Sequence, residues 1–216
     1  MDQVRRITYA TNSQNSVDLS DLRANDERQR RLQTDIEQLG YRYQPKRMEK
    51  ALQPNDISSG VAAEAILAVW RESPHQAKFF AREHFGKLYD HVFTDDLTGA
   101  QAIIAVLIYR MTENRRKRPQ NHDPVFVRYV SCFMAMRMGV HLLKDLKIAK
   151  GSLDHIRFPT AKQTLDAKGE SCFQTALQEI ERALGQLYGA GKEISWQQRA
   201  ATFCRGDLIP YLKDIE

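Results

Sequence analysis

Along most of this chain the apolar positions recur with the 3.6-residue period of a helix, and the exceptions cluster near its start. Asp2 to Thr11 reads as a short helix with Val4 and Ile7 on one face, followed by the polar stretch Asn12 to Ser16. A second helix opens at Asn25, whose side chain can cap free backbone N–H groups. Asp26 and Glu27 then complement the dipole in its first turn. Leu32, Ile36 and Leu39 form its apolar stripe and Gly40 stops it. Tyr41 to Gln44 alternates up to Pro45, the pattern of a short strand. The polar stretch from Pro45 to Ser59 is the expected boundary between a segment 1–50 and a domain 55–216.

Beyond it the pattern is helical. Val61 to Trp70 is apolar nearly all round, as a helix inside a bundle should be. Phe85, Leu88, Tyr89, Val92 and Phe93 match one amphipathic helix. Leu97 to Arg116 contains the run Ala102 to Tyr109, the expected central helix. Asp123-Pro124 predicts an N-cap with proline at the first helical position. A further stripe runs from Phe173 to Tyr188, and Ser195 with Gln198 forms a capping box for a last helix. The fold class that follows is mainly α: a helical bundle with a short N-terminal α(β) segment.

Composition narrows the class. The 216 residues are 42% hydrophobic and 27% charged, too apolar for wholesale disorder. Eleven Gly and seven Pro are too few for a turn-dense β-sandwich. Cys132, Cys172 and Cys204 show no paired spacing and read as three thiols, mostly buried, in a reducing cytoplasm. Val125 to Leu143 is apolar enough to raise the question of a membrane. Arg128 and Arg137 would each cost about 2.5–3.5 kcal/mol at a bilayer centre, so a buried helix and no membrane partner are expected. Nine residues put those two arginines on opposite faces of a helix, and a structural ion pair is expected for at least one.

The stretch Arg6-Ile7-Thr8-Tyr9-Ala10-Thr11-Asn12-Ser13-Gln14-Asn15-Ser16-Val17, followed by Asp21-Leu22-Arg23-Ala24-Asn25-Asp26, resembles the AIPR (abortive infection phage resistance) family. There a Thr-Asn-x-Gln-Asn element is followed by a Leu-x-x-Asn-Asp element and then a Gly-aromatic-x-Tyr segment, here Gly40 to Tyr43. The stretches Ala62 to Trp70, Pro74 to Lys78 and Arg82 to Phe93 are similar too. The resemblance implies a role in phage defence and marks Thr11, Asn12, Gln14, Asn15, Asn25 and Asp26 as the family motif. It also implies correspondence to the C-terminal part of longer proteins, so that any activity housed upstream lies outside these residues.

Candidate chemistry is sparse. The carboxamides of Asn12, Gln14 and Asn15 suit base edges or sugar–phosphate, and equally suit loop backbone. A net charge of +5 brings two basic zones into focus. Arg110, Arg115, Arg116, Lys117 and Arg118 could contact phosphate or stabilise a helix C-terminus. Arg28, Arg30, Arg31, Arg42, Lys46, Arg47 and Lys50 form the second zone, near the motif.

His122-Asp123 resembles the adjacent ligands of HD-type phosphohydrolases. His84 and His91, though, would lie about 10 Å apart along a helix, too far for one metal. Asp145-Leu146-Lys147 has the tail of a PD-(D/E)xK pattern without its acidic strands. Three Arg-x-x-x-His pairs, beginning at Arg71, Arg118 and Arg137, are too closely spaced for a HEPN ribonuclease. No catalytic, cofactor or metal site is therefore assigned. The expectations are a non-catalytic defence module contacting nucleic acid or a phage or host protein, the C-terminal part of a nucleic-acid-cleaving enzyme, or a homo-oligomeric scaffold.

Overall fold

The computed structural model describes residues 19–46, 53–128 and 130–213, without the side chains at 125 and 128. The expected first helix, the Thr11 to Asn15 element, Arg47, Lys50 and the Arg128 side chain lie outside that description.

Helix α1 (Leu19–Arg23) leads into α2 (Glu27–Gln38), and strand β1 (Arg42–Gln44) follows. Strand β2 (Asp56–Ser58) pairs with β1 in parallel, Tyr43 opposite Ile57. Helices α3 (Ser59–Val69), α4 (Pro74–Phe79), α5 (Tyr89–Val92) and α6 (Gly99–Lys117) come next. They are followed by α7 (Ser131–Leu146), α8 (Phe158–Tyr188), α9 (Trp196–Arg205) and α10 (Ile209–Lys213). The fold is mainly α, as the periodicity required.

Helix α6 is the central element. Ala102 to Val106, Ile108 and Tyr109 are all buried, because α3, α7, α8 and, near its start, α2 pack around it. Gly99 permits the α2 contact: a Cβ there would stand 2.6–2.8 Å from the backbone and Cβ of Asp35 and the nitrogen of Ile36. A capping box between Thr98 and Gln101, not foreseen from the sequence, starts the helix. The box predicted at Ser195 and Gln198 starts α9. Helix α8 spans 31 residues, about 46 Å. Its inner face packs on α7, with α10 alongside. No helix among the described residues is long and apolar enough to cross a membrane.

Three local expectations change. The cap of α2 is Asp26, whose side chain accepts from the Arg28 N–H at 3.1 Å, while Asn25 is exposed one residue earlier. The Phe85–Phe93 stripe is buried apart from the half-buried Leu88, but only Tyr89–Val92 is α-helical. Its aromatic rings cluster instead, with Phe85 and Tyr89 5.6 and 5.3 Å from Phe93, on turns such as Tyr89 N–H to the Gly86 carbonyl. Asp123-Pro124 opens only the 3₁₀ turn Val125–Arg128, and the helix waits until Ser131. The Asp123 carboxylate turns back to the Gln120 N–H at 2.7 Å and to Arg115, so it caps nothing forward.

Candidate nucleic-acid interface

The C-terminal half of α6 divides its basic run by helical geometry. Arg110 donates to the carbonyl oxygens of Pro54, at 2.6 Å, and of Asp56, clamping the turn that enters β2. Asp56 in turn accepts from the Gln53 N–H at 2.8 Å and from Arg42 Nε at 2.7 Å, and both hold its carboxyl below the usual range. Arg42 remains 65% exposed on its side chain, so the pair leaves most of its guanidinium surface open. Lys117 lies seven residues beyond Arg110, two turns or about 10 Å along the same face. Lys117 and Arg118 are exposed and form no ion pair among the described residues. Lys46 is exposed two residues past β1. Arg110 and Arg42, one from each basic zone of the sequence, therefore meet at Asp56, a contact that no local pattern announced.

Arg115 and Arg116 are engaged elsewhere. Arg115 grips Asp123 through Nε and Nη2 at 2.7 and 3.0 Å, reaches Glu170 at 3.3 Å and lies over the Phe173 ring at 4.6 Å. Burial pushes the Asp123 carboxyl up, but the Arg115 contacts outweigh it and the net shift is down. The same grip leaves His122-Asp123 without a free carboxylate for a metal. Arg116 takes Glu113 in a fork at 3.0–3.2 Å, and Lys78 donates to the same carboxylate. Burial alone would raise Glu113; hydrogen bonds from Arg116, Lys78 and Ser131 bring it down to about 2. Tyr109 donates to Glu64 beside this cluster.

The Asn25-Asp26 element borders an open cleft of about 990 Å³. Arg23, Arg28, Arg30 and Arg31 line it together with Asp26, Glu27, Asp90 and Asp95, so its charges balance. Arg28 is held by Asp90 and Asp95 at 2.6 and 2.7 Å, and Arg23 lies over the Tyr89 ring at 4.2 Å. Gln29 links Tyr43 and Tyr89 beneath. A balanced cleft gives little attraction for a polyanion. Lys117 and Arg118, exposed and without an ion pair among the described residues, leave the end of α6 without that balance.

The Arg137–His141 and Asp-Leu-Lys patterns have local structural partners or settings. Arg137 and His141 both converge on Glu179 in an ion-paired network, as expected for an arginine inside an apolar helix. Asp145-Leu146-Lys147 ends α7, Lys147 adopting a left-handed conformation with φ 53°. No group of three metal-ligating side chains occurs among the described residues. Cys132, Cys172 and Cys204 are free thiols, the first two buried. Burial lifts the Cys132 thiol to about 12, which keeps it protonated and unreactive.

A protein-family model described as AIPR protein matches residues 1–188. No curated protein matches the chain, and no solved structure does.

Proposed function

The chain belongs to the AIPR family, whose members act in abortive infection and phage defence, and from that premise we propose that it is a non-catalytic helical module that docks on nucleic acid. One observation supports this reading: Arg110 on α6 holds the 54–56 turn, whose Asp56 holds the largely exposed Arg42, while Lys117 is exposed two turns further along the same face of α6. Cations along this margin of α6 suit phosphate oxygens, which position a strand without reading its sequence. Among the described residues, the nearby Tyr41 and Tyr43 are buried and offer no face for base stacking. Affinity should therefore be salt-sensitive and poorly sequence-selective. Free thiols in the interior suit a reducing cytoplasm.

Fluorescence anisotropy with labelled single- and double-stranded DNA and RNA, at low and physiological salt, tests the reading. Binding that weakens several-fold in Lys117→Glu/Arg118→Glu supports it. Absence of binding at low salt would overturn it and turn the search toward a phage or host protein partner or self-association.

A further inference from the structure

A second site lies where α3 begins. A pocket of about 230 Å³, small for a ligand site, is lined by Ser20, Lys46, Ser58, Ser59, Gly60, Glu64, Ala81, His84 and Phe85. Its lining carries two kinds of chemistry. One comes from the N-terminus of the 11-residue α3, where Ser58 Oγ takes the Val61 N–H at 3.4 Å. The first N–H groups of any α-helix lack intrahelical partners and favour an anion. Lys46 stands at this pocket, and a Cβ placed on Gly60 would meet nothing within 4 Å.

Also lining the pocket is His84, 1% exposed, whose Nε2 has no hydrogen-bond partner. The carbonyls of Gln76 and Ala77 lie beside the ring, and burial holds it in the neutral form, with its pKa below the usual histidine value. A buried ring nitrogen without a partner is uncommon in a native fold, and a bound group is one way to satisfy it. Glu64 sits five residues into α3, about 7 Å from its first residue, and offers a second acceptor already oriented by the Tyr109 hydroxyl. Phe85 supplies an apolar wall.

We infer that this pocket takes a phosphorylated nucleoside unit, its phosphate at the start of α3 beside Lys46 and its base edge toward His84 and Glu64. The acceptors on His84 and Glu64 call for the N–H groups of a base; the helix terminus and the lysine call for the phosphate. The unit can be a free nucleotide or one residue of a strand. Lys46 serves this pocket and is also one of the basic residues near the α6 margin, whereas Gly60 belongs only to the pocket and Lys117 and Arg118 only to the margin, so either reading can fail alone.

Isothermal titration of the whole chain with AMP, GMP, CMP, UMP, inorganic phosphate and a 5′-phosphorylated trinucleotide tests the inference. At least one nucleotide is expected to bind tenfold or more tightly than inorganic phosphate. Gly60→Asp should abolish that binding. It places a carboxylate in the first turn, where the dipole favours it, so the melting temperature should hold or rise. Lys46→Glu should weaken binding at least five-fold, and Lys117→Glu/Arg118→Glu should leave it unchanged. Binding of the trinucleotide alone, lost in Gly60→Asp, assigns the pocket to a strand. Equal affinity for phosphate and nucleotides, indifference to Gly60→Asp, or no binding by any probe overturns the inference and leaves His84 satisfied by water.

Discussion

Arg137 on α7 and Glu179 on α8 meet in a two-point fork, Nε to Oε2 at 2.7 Å and Nη2 to Oε1 at 3.1 Å, with their side chains only 4% and 9% exposed. Arg137 Nη1 also donates to the Leu212 carbonyl at 3.0 Å, and His141 Nε2 lies 3.0 Å from Glu179 Oε2. One carboxylate thus ties two long helices, and the arginine between them reaches the last one.

Removing one partner strands a buried charge. Glu179→Ala should cost about 3–5 kcal/mol and lower the melting temperature by roughly 10 °C. The double variant Arg137→Met/Glu179→Leu should lose less than either single change, because no lone charge remains. Calorimetry of the three variants decides it; additive losses would show that the pair is not coupled.

Glu113 predicts an acid-sensitive step. Its folded carboxyl lies at about 2, below the value of about 4.5 in the unfolded chain. Its contribution is therefore complete above pH about 4.5 and disappears as pH falls toward 2. The shift corresponds to something on the order of 3 kcal/mol. Denaturant midpoints measured from pH 6 to pH 2.5 should fall, and in Glu113→Gln the fall should be shallower. An identical slope in both proteins would place the acid lability in other carboxylates.

Gly99 sets how closely α2 approaches α6. Gly99→Ala would force its new methyl into the backbone of Asp35 and Ile36, costing about 1–3 kcal/mol. The expected consequence is local: limited proteolysis should cut near α2 well before the rest of the bundle yields. Uniform protection would mean that the helices separate without strain.

Adjacent arginines should behave differently. Arg115→Ala removes the grip on Asp123 and should destabilise the fold by about 2–3 kcal/mol while sparing nucleic-acid affinity at temperatures where the chain remains folded. Lys117→Glu/Arg118→Glu should do the reverse, flattening the salt dependence of binding with little change in melting temperature. Thermal melts paired with anisotropy separate the two; equal affinity losses in both variants would remove the division of the run.

Signals confined to one or two turns were legible in the sequence. The Ser195–Gln198 box, the Gly40 stop and the apolar run of α6 each depend on neighbours within a few residues. What failed depended on distant partners. Phe85 to Phe93 had the spacing of a helix, but that spacing encoded burial, and the aromatic cluster satisfied it on turns. Asp123 looked like a cap until Arg115 took its carboxylate. That Arg115 and Arg116 are ion-paired while Lys117 and Arg118 are not depended on Asp123, Glu170 and Glu113, two of them distant or beyond the helix. His84 gave no sequence signal beyond its type, since an unpartnered ring nitrogen is a property of packing.

The family match stops at residue 188, the last residue of α8. Phe203, Leu208 and Leu212 come later and are buried, Phe203 edge-on to Phe133 at 5.3 Å. The stretch that kinship recognises is therefore shorter than the stretch that keeps the interior dry. A chain cut at 188 would retain every matched residue and still behave as an open vessel, its greasy inner wall free to stick to other copies.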